Sequence, residues 1–137
     1  MNPHSDTSHD HGAEPYTANI VQAARQNTNF RTAFWTGKHL QMTLMSIPAG
    51  GDIGLENHPD TDQYIRIEGG HGMVRMGARK DRMSFQRSVD KDTGIFVPAG
   101  TWHNIINTGM QPLKVSSVYA PPHHPKGTVH RTKAEAE

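Results

Sequence analysis

The chain has 137 residues, enough for one domain, and a 34% hydrophobic content that fills one core and leaves little for a second. A net charge of +1 gives no electrostatic case for nucleic acid or an anionic membrane, and no run of about 18 apolar residues is present to span a bilayer. Cys is absent, so disulfides and thiolate ligands are excluded and any metal is held by nitrogen and oxygen; with no charged-then-apolar signal segment, a cytoplasmic location is expected.

Residues 1–16 are polar, hold His4, His9 and His11, and read as a flexible N-terminal tail. Asn19 to Gln26 predicts a short helix with Asn19 as its N-cap. Strands are expected at Phe30–Thr36 and Leu40–Pro48, around a turn at Gly37-Lys38. Further strand signals follow at Ile53–His58, Asp62–Glu68, Gly72–Gly77, Met83–Val89, Gly94–Val97, His103–Thr108 and Leu113–Ala120. Turn chemistry separates them at Pro59-Asp60, Gly69-Gly70, Asp90 to Asp92, Pro98 to Gly100 and Gly109. Many short strands, no sustained 3.6-residue apolar period, and 13 Gly with 9 Pro argue for an all-β sandwich or barrel over residues 17–120. Residues 121–137 form a Pro/His-rich C-terminal tail that cannot pair as a central strand and should lie over the barrel, with a short helix near Thr132 to Glu137.

The chain is organised around Pro48 to Gly72, PAGGDIGLENHPDTDQYIRIEGGHG, and an answering stretch Pro98 to Asn107, PAGTWHNIIN. Glu56, His58, Gln63 and His103 each offer a lone pair. Side chains alternate along a strand, so Glu56 shares a face with His58, Gln63 with Ile65 and Ile67, and His103 with Ile105. Each falls on a face that can be the barrel interior, while Asp62, Arg66 and Glu68 fall on the face that should be wet. Gln63 either ligates or bonds to a metal-bound water or a neighbouring ring. Asp60 and Asp62 read as turn residues, Asn107 as closing a strand end, and Tyr64 and Trp102 as packing. His123, His124 and His130 in the tail read as docking groups; folded over the mouth, one could serve as an acid or base.

These stretches resemble the cupin superfamily. Pro98, Gly100, His103 and Asn107 match its second motif, Pro-x-Gly, two residues, His, three residues, Asn. In the first motif, Glu56 stands where the first His usually stands, His58 keeps the second, and Gln63 stands in place of the Glu. The wording is similar to small bacterial single-domain cupins of a mannose-6-phosphate isomerase-like branch. The resemblance implies a jelly-roll β-barrel of two packed antiparallel sheets whose mouth holds one divalent metal ion on Glu56, His58, Gln63 and His103. Two His, one carboxylate and one amide oxygen are a hard donor set, which favours Mn or Fe, with Ni or Zn as further options. The expected function is metal-dependent chemistry of oxygenase or isomerase type on a small polar molecule; the alternative is a non-catalytic binding or sensing module. A homodimer is expected, paired through an exposed edge at Phe30 to Trp35.

Overall fold

The computed structural model describes residues 9–137; His4 lies outside them. Two sheets face each other. The larger has the order β6-β3-β8-β2-β1-β9, made of β1 (Arg31–Thr36), β2 (Gln41–Ile47), β3 (Asp62–Gly69), β6 (Gly94–Val97), β8 (Leu113–Ala120) and β9 (Val129–His130). The smaller has the order β5-β4-β7, made of β4 (His71–Gly77), β5 (Phe85–Asp90) and β7 (Trp102–Asn107). Every strand pair is antiparallel. The all-β architecture expected from the alternation, and the jelly roll that the resemblance implies, are both found.

The core between the sheets holds Met45, Ile47, Ile65, Ile67, Val74, Ile105, Leu113 and Val115, all nearly inaccessible. A second cluster lies on the outer face of β1 and β2. Helix α1 (Ile20–Gln26) lays Ala23 and Ala24 there against Phe34 and Leu44, with Tyr16 and Ile20 beside them. Asn19 caps α1 as expected, accepting from the Gln22 amide. The apolar content thus supports a small second core after all. The large sheet is covered on both faces where α1 crosses it, so β2 buries residues of both parities: Thr43, Met45 and Ile47 on one side, Leu44 on the other.

Four local expectations change. The Ile53–His58 stretch is not a ladder strand; it touches β7 through single bridges, Asp52 to Ile106 and Glu56 to His103, because Gly54 takes φ +92° and breaks the extended run. Glu68 is not wet. It is 0% exposed, since its face of β3 lies near α1, and its carboxylate is satisfied by Arg66 and by Ser116 Oγ, which donates at 2.7 Å. Phe30 to Trp35 is no free edge: β1 pairs with β2 on one side and β9 on the other. Residues 9–16, read as part of a flexible tail, dock on β1. His11 N donates to Phe34 O, His11 stacks on Tyr16, and Asp10 accepts from Thr36 N.

Residues 121–137 run along the barrel opening. Gln41, fully buried, takes hold of this segment: its Nε2 donates to His124 O at 2.8 Å and its Oε1 accepts from His124 N at 2.9 Å and His123 N at 3.3 Å. Val129–His130 then pairs with the start of β1, and α2 (Lys133–Ala136) ends the segment, with Lys133 ion-paired to Asp52. No helix among the described residues is long and apolar enough to cross a membrane.

Candidate metal centre

Glu56 and His103 are brought together by backbone pairing. Glu56 N donates to His103 O at 3.0 Å and His103 N donates to Glu56 O at 2.9 Å, so the two are direct partners whose side chains rise from one face. His58, two residues on, rises beside them, and its ring centroid is 5.3 Å from that of His103. The two motif stretches hold each other in register: Gly100, at φ +82°, donates its amide to His58 O, and Asn57 Nδ2 donates to Gly100 O. One oxygen of Glu56 and one nitrogen of each His lie within 4.8 Å of one another.

The protonation of His103 and Glu56 suits a cation. His103 Nδ1 bonds the Thr101 carbonyl at 3.0 Å, which places the proton on Nδ1 and leaves a lone pair on Nε2. That Nε2 is buried and has no hydrogen-bond partner. Burial, with the charge on nearby His58, lowers the His103 pKa and favours the neutral ring that a ligand needs. For Glu56 burial works the other way and would raise the pKa. The His58 hydrogen bond at 2.9 Å and the charge of Arg31 outweigh it, so the carboxyl is held below the usual range and is ionised.

Gln63 comes from β3, in the other sheet from His103. It is buried on β3, and its Nε2 donates to Ser117 Oγ at 2.8 Å, while its Oε1 is buried without a partner. An amide oxygen and an imidazole nitrogen, both buried and both unpaired, are the kind of orphans a hard cation satisfies. The residues therefore fit a divalent ion.

The other readings sort as follows. Asn107 ties a strand end, donating to Ile47 O and Gln111 O. Asp62 accepts from Ala99 N, a turn role. Tyr64 packs on Phe96 outside the barrel and Trp102 lies under Lys80, so neither lines the mouth.

A cavity of about 800 Å³ opens beside the group, lined by Phe30, Arg31, Leu55, Glu56, His58 and residues of the C-terminal segment, His123, His124 and His130 among them. The His123 ring lies 4.0 Å from that of His58. Arg31 escaped the sequence reading. Its signal was a lone charge next to Phe30 in an otherwise apolar strand; what makes it a site residue is β9, whose pairing with β1 no sequence pattern foretold. His124 is driven to a pKa of about 3 by burial and by the charges of Arg31 and His123, so its ring is neutral.

A family profile described as a cupin domain matches residues 43–119. The chain is 61% identical over 127 residues to the uncharacterized protein YrkC of Bacillus subtilis (strain 168), covering 93% of this chain and 68% of that one. The crystal structure of BH2720 from Bacillus halodurans superposes with TM-score 0.93 at 57% identity, covering 93% of this chain and 97% of that one. KdgF from Halomonas sp. shares the fold alone, at TM-score 0.61 and 15% identity over 68% of this chain and 80% of that one.

Proposed function

The chain belongs to the cupin family, and we propose that it binds one divalent ion in the barrel mouth and acts there on a small polar molecule. Glu56, His58 and His103 would hold the ion, with Gln63 Oε1 as a fourth donor. Mn or Fe(II) suits these donors best. When bound, such an ion would supply Lewis acidity for isomerase-type chemistry or redox chemistry for oxygenase-type chemistry. The observation that carries the reading is His103 Nε2, a buried lone pair with no protein partner, facing a carboxylate held ionised. Elemental analysis of full-length, untagged parent and His103→Ala tests it, since any metal on the N-terminal histidines is common to both. The parent is expected to carry about one ion more per chain; equal content would overturn the reading.

One observation favours a non-catalytic binding module instead. Of the two other acids lining the cavity, Asp52 is tied to Lys133 and Asn104 and Glu137 is exposed, which leaves Glu56 as the carboxylate next to the His pair. Among the described residues no further carboxylate stands beside the proposed ligands, and the base left for chemistry is the His123 ring, 4.0 Å from that of His58.

We also infer a homodimer, and place it on β6 rather than on Phe30 to Trp35. β6 is an unpaired edge of the large sheet, and its Phe96 is 73% exposed next to Tyr64. Light scattering should give a dimer mass at micromolar concentration for the parent and a monomer mass for Phe96→Glu. A monomeric parent would remove the proposal.

A further inference from the structure

Arg31 is 4% exposed, and a buried guanidinium needs its five donors paired. Its Nη1 meets His130 Nδ1 at 3.3 Å. Its Nη2 lies 4.0 Å from Met45 Sδ, a weak acceptor, and 3.5 Å from Glu56 Oε1, which is ion-pair range rather than a good hydrogen bond. Its Nε is buried with no partner at all. The guanidinium lines the same cavity as Glu56 and His58.

Glu56 is the counter-ion of Arg31, and Glu56 is also the one anionic side chain in the ligand set proposed above. Its two oxygens can touch both, since Oε1 faces Arg31 and Oε2 faces His58, but its single charge cannot neutralise both. A divalent ion brings two positive charges and Arg31 brings one, against one negative from Glu56. The inner end of the cavity is then left with a surplus of two. The rim does not offset it: Asp52 and Lys133 cancel each other, and Glu137 is exposed. The His rings lining the cavity add no negative charge.

We propose that the molecule this cavity takes is a small organic dicarboxylate, one carboxylate of which is held by the Arg31 guanidinium. The proposal rests on the metal reading, because the full surplus arises only when a cation occupies Glu56. A planar fork matches a carboxylate in two parallel hydrogen bonds, which gives the unpaired Nε a partner. Phe30, Ile53 and Leu55 supply apolar wall for the carbons between the acid groups. Arg31 would thus select the charge of the ligand while the metal ligands hold the ion.

The probe is malonate, measured by calorimetry on the full-length protein loaded with Mn(II), against 1,3-propanediol as its neutral match and inorganic phosphate as a second oxyanion. Malonate should bind the parent more tightly than either. Arg31→Gln should weaken malonate by about tenfold or more, and Arg31→Lys by less, both with parent-level metal content. Equal malonate affinity in parent and Arg31→Gln would overturn the proposal, as would propanediol binding as well as malonate. Phosphate binding as tightly as malonate, and through Arg31, would overturn the carboxylate assignment.

A metal-free arm separates this proposal from the one it rests on. In protein stripped of metal and dialysed, Glu56→Gln removes the Arg31 counter-ion and should tighten malonate binding by roughly fivefold over the stripped parent. This holds even if the parent takes no ion, and it decides the matter if Arg31→Gln does not fold. No tightening would sink the role of Arg31.

Discussion

The cavity is closed on one side by a strand and the stretch paired to it, and on the other by a proline-rich segment, and the two walls hold their histidines by different means. His103 sits in a paired strand, with its backbone bonded to Glu56 and its Nδ1 bonded to Thr101 O. The imidazole has one nitrogen fixed and the other presented. His124 sits in an irregular run where the backbone, not the ring, is held: Gln41 bonds both its N–H and its C=O, while its Nε2 is buried without a partner. Backbone pairing fixes chemistry to within a side-chain rotamer; a clamp on a loop fixes where the loop lies. The first wall is suited to holding an ion, the second to shaping what reaches it.

Cutting the clamp breaks the comparison most directly. Gln41 is fully buried and makes four hydrogen bonds, to Thr36 Oγ1 as well as to the segment. Gln41→Ala leaves a cavity and unpaired backbone groups at residues 123 and 124. A loss of about 2–4 kcal/mol in denaturant unfolding is expected. Proteolysis between residues 121 and 131 should accelerate, while metal content stays at the parent level because the strand-built wall is untouched. Unchanged stability and protease resistance would show that β9 pairing alone holds the segment.

The same contrast explains what could be read beforehand. Alternation and turn residues are local signals, and they placed β6 and β8 to the residue and put Glu56, His58 and His103 on one face. Three things were illegible because they are set by neighbours distant in sequence. Glu68 alternates like a wet residue, and α1 with Ser116 makes its face dry. Phe30 to Trp35 reads as an edge, and the two-residue β9, nearly a hundred positions on, covers it. Arg31 becomes a cavity residue only because that same segment carries His130 to it. Gln63 has the expected parity, yet one half of its amide is spent on Ser117, a partner no spacing rule names.

The smallest expected effect concerns pH and the second wall. The His124 ring has a folded-state pKa of about 3, against an ordinary value of 6.5. A ring that resists protonation when folded and accepts it when unfolded makes the unfolded state the stronger proton binder between those values. Its contribution is therefore complete above about pH 6.5 and is lost as the pH falls toward 3. Asp10, Asp52 and Glu56 have lowered pKa values and His103 a lowered one too, so they also cost stability on acidification and hide this loss in the parent alone. The difference between parent and His124→Gln removes them, because both proteins share those groups. Glutamine fills much of the ring's space and takes up no proton in this range. Urea unfolding at pH 7 and pH 4.5 should show the parent's advantage over His124→Gln shrinking or reversing at the lower pH. The linked slope is at most one proton, and partial exposure of the ring reduces its size. An advantage that is constant across the two pH values would mean that the second wall accepts a charged His124 by moving it into water, a looser wall than the hydrogen bonds of Gln41 imply.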